Sequence, residues 1–161
     1  IGDCLAVAAL NKKRFKKQNF KEFHPSGSLG AKLKTVEDLM TSGSKIPFIN
    51  ENSNMRKALK LITEKKLGIL IAINKKKLTT GIITDGQIRR SSQSNNLLIE
   101  LSVKKVMTKN PISVDKDMLA VKGLAIMSEK KITSLCVHKK NSPKKTIGVL
   151  HIHNILDGNV S

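Results

Sequence analysis

The hydrophobic and polar positions of the chain predict the same series of elements twice. Each copy contains a helix whose apolar residues recur every three or four positions, followed by an apolar run that is rich in β-branched residues and typical of a buried strand. The helical faces consist of Met55, Leu59 and Ile62 in the first copy and of Ala120, Leu124 and Met127 in the second. The buried strands are predicted at 67–73 and 132–137, and their hairpin partners at 78–83 and 146–150.

A short strand is predicted before each of these helices, at 46–49 and at 112–114. A further helix closes each copy and starts near Asp85 in the first and near His153 in the second. Each copy is therefore predicted to be a β-α-β-β-α unit. The segment 91–96 holds only polar residues, which indicates a linker between the two copies.

Several short motifs recur in the same order, at an offset between 64 and 67 residues. Val36–Thr41 (VEDLMT) returns as Val103–Thr108 (VKKVMT), Pro47 returns as Pro111, and Gly81–Ile83 (GII) returns as Gly148–Leu150 (GVL). Two copies are too few for a solenoid, in which three or more units stack. We therefore expect the copies to pack against each other, each covering the apolar surface of its partner, in an α/β (α+β) fold.

Composition restricts the class of protein further. The chain has 161 residues, of which 39% are hydrophobic, so it is too apolar to be disordered and suits one domain or two very small ones. It contains no apolar run long enough for a transmembrane helix, and its first residues lack the basic and apolar regions of a signal peptide. Cys4 and Cys136 show no spacing typical of disulfides or metal sites, which predicts reduced thiols in a cytoplasmic protein.

The formal net charge of +18 raises the question of nucleic acid. Of the 30 cationic residues only four are arginines, the residue type that suits base reading and bidentate phosphate contacts. There is no Tyr or Trp, and single-strand binders generally need aromatic platforms. A lysine-rich, solvated surface that attracts phosphorylated or acidic small molecules is favoured, and a nucleic-acid-binding module remains the less favoured alternative.

The order of these motifs, with Met-Thr before a proline-bearing strand and Gly-x-x-Thr before the last helix, resembles a tandem CBS-domain pair over residues 36–158. Phe20–Gly30 (FKEFHPSGSLG) resembles the segment that joins a sugar-isomerase (SIS) domain to such a pair. Thr84–Arg90 (TDGQIRR) and Gly148–Leu156 (GVLHIHNIL) resemble the two closing helices of the family with that architecture, the D-arabinose 5-phosphate isomerases.

The resemblance implies three regions: a helical SIS tail and linker at 1–35, and CBS repeats at 36–92 and 103–158 related by pseudo-twofold symmetry. It also implies interconversion of D-ribulose 5-phosphate and D-arabinose 5-phosphate for Kdo and lipopolysaccharide synthesis, with no required cofactor. In the family the histidine of the His-Pro-x-Gly-x-Leu-Gly motif lies at the active site, and His24 occupies that position. The base, the lysine and the phosphate cradle belong to the SIS body, so this chain alone is expected to be inactive. A dimer of CBS pairs, and a tetramer of the full-length protein, are the implied assemblies.

Family likeness further implies ligand clefts between the repeats, often for adenine nucleotides. Thr84 matches the ribose-contacting threonine, but Gln87 stands in place of the aspartate, and in the second copy His151 and Asn154 replace the two positions. Amides lose the charge-assisted contribution of a carboxylate, which puts AMP and ATP in doubt. The second closing segment carries His151 and His153 and the first carries Asp85, Arg89 and Arg90, a combination that suits a nucleotide sugar such as CMP-Kdo. The predicted cleft residues are Pro47, Thr84, Asp85, Gln87, Arg89, Asn110, Pro111, Thr133, His151 and Asn154.

Two other interpretations of the repeats remain open: a stand-alone nucleotide-sensing CBS protein, and a pair that serves mainly in subunit association. The pairs His151-x-His153 and Cys136-x-His138 could each bring two metal-type ligands to one face, but two ligands without a third are weak evidence for zinc. No metal site is predicted, and Cys136 is expected to be a small buried apolar residue.

Overall fold

The computed structural model describes residues 31, 33–94 and 98–160, and the account of the fold concerns these residues. The first repeat consists of α1 (Val36–Leu39), β1 (Thr41–Ser42), β2 (Phe48–Asn50), α2 (Met55–Lys65), β3 (Ile69–Ile73), β4 (Thr79–Thr84) and α3 (Asp85–Ser94). The second consists of α4 (Val103–Val106), β5 (Thr108–Lys109), β6 (Ser113–Asp115), α5 (Ala120–Lys130), β7 (Ser134–His138), β8 (Thr146–His151) and α6 (Ile152–Asp157). Short 3-10 turns lie at Gly43–Lys45 and Leu98–Glu100.

The described strands form two four-stranded sheets with the orders β1-β8-β7-β6 and β2-β3-β4-β5. Within a sheet, three strands come from one repeat, and the edge strand beside β4 or β8 comes from the other. Thr108 of β5 pairs antiparallel with Ile82 of β4, and Thr41 of β1 pairs with Val149 of β8. Because each repeat supplies the last strand of the other repeat's sheet, the two halves complete one shared structure, as predicted.

The interior confirms that the repeats share a core. One apolar cluster joins Ile46, Ile69 and Ile71 of the first repeat to Cys136 and Val149 of the second, and all five are buried. Two further clusters lie beneath α2 and α5, and each also contains residues of the other repeat: Val103, Val106 and Met107 in the cluster beneath α2, and Val36 in the cluster beneath α5. Within the described ranges, no helix is long and apolar enough to cross a membrane.

Helices α2 and α5 begin and end as their sequences require. The Asn54 side chain accepts a hydrogen bond from the Lys57 N–H at 3.1 Å and so caps α2. Lys66 and Lys131 end α2 and α5 in the left-handed conformation, with φ of 55° and 54°. The residues that face the core are Met55, Ala58 and Ile62 in α2 and Ala120, Gly123 and Met127 in α5, whereas Leu59 and Leu124 are only partly buried.

The predicted pairing of Pro47 with Pro111 is wrong. The Pro47 carbonyl accepts from the Ile71 N–H and the Ile112 carbonyl accepts from the Cys136 N–H, so Ile112 is the counterpart of Pro47. The first repeat has two additional residues before this position, and they form part of the 3-10 turn. β2 and β6 also begin later than predicted and extend to Asn50 and Asp115.

The predicted linker at 91–96 is also partly wrong, because α3 continues to Ser94. Polar side chains on a solvated helix do not end the helix, since its backbone hydrogen bonds do not depend on them. Residues 95–97 lie outside the described residues, as do the predicted N-terminal helices and His24.

Candidate ligand-binding site

A cavity of about 460 Å³ lies between the two repeats, where β4 and β8 end, and we call it the cleft cavity. Six of the predicted cleft residues line it: Thr84, Asp85, Asn110, Pro111, Thr133 and His151. The remaining lining residues are Gly68, Ile82, Gly86, Arg90, Thr108, Ile112, Lys131, Ile132 and Ser134. Its volume lies within the range of about 300–1,000 Å³ that is usual for small-molecule sites.

The strand-to-helix junction at Thr84 is held by local hydrogen bonds. The Thr84 Oγ1 accepts from the Gln87 N–H at 3.4 Å, and the Asp85 N–H donates to the Gly68 carbonyl at 3.2 Å. Gly68 has a φ of +63°, and a Cβ at this position would lie 3.1 Å from Asp85 Oδ2. The backbone conformation therefore favours glycine at this position, and any other residue would also displace the exposed Asp85 carboxylate by a few tenths of an ångström.

His151 occupies the equivalent junction in the second repeat and acts as the N-cap of α6. Its Nδ1 accepts from the His153 N–H at 3.2 Å, and its own backbone N–H donates to Asn154 Oδ1 at 3.0 Å. Burial lowers the pKa of His151, and the neighbouring His153 lowers it further. Because Nδ1 accepts a hydrogen bond, the neutral ring carries its proton on Nε2, which leaves one donor at the lining of the cleft cavity.

The two amides at the family's ribose-contacting positions serve the protein itself. The Gln87 Nε2 donates to the Val106 carbonyl, and Gln87 Oε1 accepts from Thr108 Oγ1 at 3.1 Å, so this side chain joins α3 to the second repeat. The Asn154 Oδ1 completes the cap of α6. Neither amide lines the cleft cavity.

Two other predicted residues also lie away from the cleft cavity, Pro47 and Arg89. Arg89 is exposed on α3, whereas its neighbour Arg90 lines the cavity. Both arginines belong to the first closing segment, whose guanidinium groups were expected at the cleft, but only Arg89 was named among the predicted cleft residues. Lys131, which directly follows α5, was not predicted.

At the position equivalent to Pro111, the first repeat has a buried side chain. Ile46 occupies that position, and it is buried against Ile69, Ile71 and Val149. The 3-10 turn that precedes Ile46 has no counterpart among the described residues of the second repeat. Because of the two extra residues, the segment before β2 in the first repeat differs from the segment before β6 in the second, which lines the cleft cavity.

Within the described part of the chain, no three His, Cys, Asp or Glu side chains are grouped as a metal site would require. Cys136 is buried with a free thiol, as predicted, and burial raises the pKa of this thiol to about 11. The adjacent Thr146 lowers it by a smaller amount through a hydrogen bond. A thiol with so high a pKa is protonated at neutral pH and is a poor nucleophile.

Comparison with known protein families gives a match to the CBS domain at residues 36–94 and again at 103–160. The chain is 37% identical over 158 residues to the arabinose 5-phosphate isomerase KdsD of Francisella tularensis. That alignment covers 97% of this chain and 47% of the relative, so the chain spans about half the length of the isomerase it resembles. The resemblance predicted from the motifs is thereby confirmed.

Solved structures share the same fold. An uncharacterised conserved protein from Pyrococcus horikoshii matches with a TM-score of 0.71 at 21% identity, over 81% of this chain and 95% of that chain. CBSX2 in complex with AMP matches with a TM-score of 0.65 at 23% identity, over 76% and 93% of the two chains. At these identities the likeness establishes the architecture alone.

Proposed function

The chain belongs to the CBS-domain family, and from this premise we propose that it is the ligand-sensing CBS region of an arabinose 5-phosphate isomerase. The observation that carries the proposal is the 37% identity to KdsD along nearly the whole chain. Catalysis, in this proposal, is the interconversion of D-ribulose 5-phosphate and D-arabinose 5-phosphate by a catalytic domain to which His24 contributes. The CBS pair senses a ligand and aids assembly.

The isomerase part of the proposal is tested on the natural gene product that contains this chain. We expect it to convert D-ribulose 5-phosphate to D-arabinose 5-phosphate, and His24→Asn to reduce kcat while the CBS pair stays folded. The same substitution on β7, His138→Asn, serves as the matched histidine control and should leave kcat unchanged. Activity that is absent from the gene product, or equal in both variants, would reject the catalytic proposal.

The ligand-sensing part rests on the groups around the cleft cavity. Arg90 and Lys131 provide positive charge, Asp85 provides a carboxylate, and Thr84 and His151 provide neutral hydrogen-bonding groups. Cations suit a phosphate, and a carboxylate can accept hydroxyl protons of a sugar. We therefore propose an anionic, hydroxylated ligand, namely a nucleotide or a nucleotide sugar such as CMP-Kdo.

An adenosine ligand such as AMP or ATP is the weaker fit. Gln87 and Asn154 stand where the family reads the ribose with carboxylates, and both are engaged in hydrogen bonds within the protein. A ligand would have to compete with these bonds, which raises the cost of using either amide. The complex of CBSX2 with AMP supports a nucleotide as the ligand but does not define its base here.

Calorimetric titration of the purified chain with CMP-Kdo, AMP and ATP tests this choice. We expect heat with CMP-Kdo, and a loss of binding in the Thr84→Ala and Arg90→Ala variants. Thr63→Ala, at an exposed threonine on α2, is the matched control and should bind as the wild type does. Absence of heat with all three ligands would reject the sensor and leave the association role.

One observation favours a role in association as well. Leu156 on α6 is 54% exposed, the largest exposure among the large hydrophobic residues of the described chain. Exposed apolar groups on a closing helix suit contact with a second CBS pair. Sedimentation of the chain should show a dimer that Leu156→Asp weakens, whereas Asp157→Ala on the same helix should leave it intact. A monomeric wild type would exclude this role.

A further inference from the structure

A second cavity, of about 510 Å³, lies at the opposite end of β4 and β8, where the two hairpins turn, and we call it the hairpin cavity. It is lined by Glu51, Asn74, Leu78, Thr79, Thr80, Lys104, Met107, Lys109, Asn110, Pro111, Ser113, Cys136, Pro143, Lys144 and Thr146. Of the residues that the structure describes, only Asn110 and Pro111 line both cavities. None of the ribose-contacting positions that the resemblance identifies lies in the hairpin cavity, so it is separate from the proposed sensing site.

Three lysines, Lys104, Lys109 and Lys144, surround this cavity, and Glu51 is the one acidic residue among the described residues that line it. None of the three ammonium groups has a hydrogen bond or an ion pair within the described part of the chain. The cavity is therefore bordered by an excess of positive charge that these residues do not neutralise. Lysine ammonium groups are common partners of phosphate.

The backbones that carry these lysines are fixed by hydrogen bonds to the first repeat. The Lys104 N–H donates to the Glu51 carbonyl at 2.8 Å, and the Thr79 N–H donates to the Lys144 carbonyl at 2.8 Å. Lys109 pairs with Gly81 in the exchanged strand β5. Since the contacts between the repeats already hold the three positions, a ligand need not order the backbone, and this lowers the entropic cost of binding.

The hairpin cavity exists because the second repeat has small residues where the first has large ones. Ser113 occupies the position equivalent to Phe48, and Cys136 occupies the position equivalent to Ile71. Phenylalanine and isoleucine would fill much of the space that serine and cysteine leave open. One of the lysine positions differs as well, because Glu37 is the sequence counterpart of Lys104 in the motif that begins each repeat.

We propose that the hairpin cavity binds a phosphate monoester with a hydroxylated body, with the phosphate held by Lys104, Lys109 and Lys144. The hydroxyl group of Ser113 lies among its lining residues and can exchange hydrogen bonds with ligand hydroxyls. Leu78, Met107 and Pro143 contribute apolar surface against the carbon skeleton. This site is independent of the ligand proposed for the cleft cavity.

Ribose 5-phosphate is the probe for this proposal, with ribose as the neutral control, in calorimetric titrations of the intact chain at low ionic strength. We expect ribose 5-phosphate to bind and ribose not to bind. The double variant Lys104→Ala/Lys144→Ala should weaken binding by roughly a hundredfold or more, because each of the two lost charge-assisted bonds is worth about tenfold or more. Lys105 and Lys145 are the sequence neighbours of Lys104 and Lys144. The double variant Lys105→Ala/Lys145→Ala therefore changes the net charge by the same amount, and it should bind nearly as the wild type does.

Two further variants separate the cavities and guard against unfolding. Ser113→Phe introduces the residue of the first repeat, and it should abolish binding while the thermal unfolding transition remains cooperative. Arg90→Ala, in the cleft cavity, should leave ribose 5-phosphate binding unchanged. Three results would each overturn the proposal, whatever the outcome with CMP-Kdo. They are absence of binding by the wild type, equal losses of binding in the two lysine double variants, and a loss of binding in Arg90→Ala alone.

Discussion

The hydroxyl oxygens of Thr79 and Thr146 lie 2.7 Å apart, and these two residues occupy the same position in the two repeats. Each is the first residue of the second hairpin strand, β4 or β8. The Thr146 N–H also donates to Thr79 Oγ1 at 3.3 Å. Equivalent residues can meet in this way only where the axis that relates the repeats passes between them.

Replacing Thr146 by Val should destabilise the chain by about 1–2 kcal/mol. Thr146 is buried, and its loss leaves the hydroxyl of the half-buried Thr79 without this partner. The double variant Thr79→Val/Thr146→Val should cost less than the sum of the single variants, because both ends of the bond are then apolar. Urea unfolding of the four proteins measures the coupling. Thr63→Val, on the solvent face of α2, should change stability by less than about 0.5 kcal/mol. An effect of Thr146→Val as small as this would contradict the structural role.

The repeats also contact each other through glycine and methionine. A Cβ on Gly81 would lie 2.6 Å from Met107 Sδ and 2.7 Å from the Thr108 carbonyl oxygen, and Gly148 faces Met40 in the same way. Gly81→Ala should therefore displace the exchanged strand β5 and destabilise the chain by about 1–3 kcal/mol.

Gly86→Ala is the matched control for Gly81→Ala, because it adds the same methyl group where there is space. Its Cβ would meet only Arg90 Nη1, at 3.5 Å. Gly86 lies in the first turn of α3, where alanine is the better helix former by up to about 1 kcal/mol. The two substitutions should thus move the urea midpoint in opposite directions, and equal shifts would show that Met107 does not require a glycine.

Gln87→Asp restores the residue type of the family's ribose-contacting position and should nevertheless fail to improve AMP binding. Aspartate has no N–H to donate to the Val106 carbonyl, so the variant should lose about 1–3 kcal/mol of stability. Gln93→Asp, on the exposed side of the same helix, should be nearly neutral. Calorimetry with AMP decides the point, since a gain in affinity in Gln87→Asp would mean that this side chain can reach the ligand.

The repeated helices and central strands could be predicted because their patterns are long enough to show a period. Met55 and Ile62 mark a buried helical face, and Leu67–Ile73 is too apolar for a loop. The exchanged strands could not, because Thr41–Ser42 and Thr108–Lys109 are only two residues long and show no alternation. These strands are held by backbone pairing and by the contact of Met40 with Gly148 and of Met107 with Gly81. Both interactions join residues that are far apart in sequence.

The candidate sites show the same limit. Thr84 and His151 could be located beside the cleft cavity because each ends a strand, a position that the repeat motif marks directly. The role of Gln87 could not be predicted, because an amide side chain can bind either a ligand or a carbonyl of the protein. The sequence spacing is the same in both cases. The hairpin cavity depends on Ser113 standing at the position that Phe48 fills in the first repeat, a comparison that the incorrect pairing of the prolines concealed.

His151 makes the stability of the chain depend on pH. The folded protein holds the pKa of His151 below its ordinary value of about 6.5, first through burial and then through His153. As pH falls through 6.5, the unfolded chain binds this proton more readily than the folded chain, so protonation favours unfolding. The contribution is fully present above the ordinary pKa and decreases as pH falls below it. Protonation at Nδ1 would also remove the acceptor that caps α6.

The difference between wild type and His151→Asn isolates this effect, because Asn caps a helix well and does not titrate. Unfolding midpoints measured at pH 7.5, 6.5 and 5.5 should fall more in the wild type than in His151→Asn. His138→Asn removes a histidine from β7, outside the α6 cap, and should keep the wild-type decrease. If the wild type and His151→Asn lose stability in parallel, the cap does not depend on a neutral imidazole, and the acid sensitivity arises from other groups.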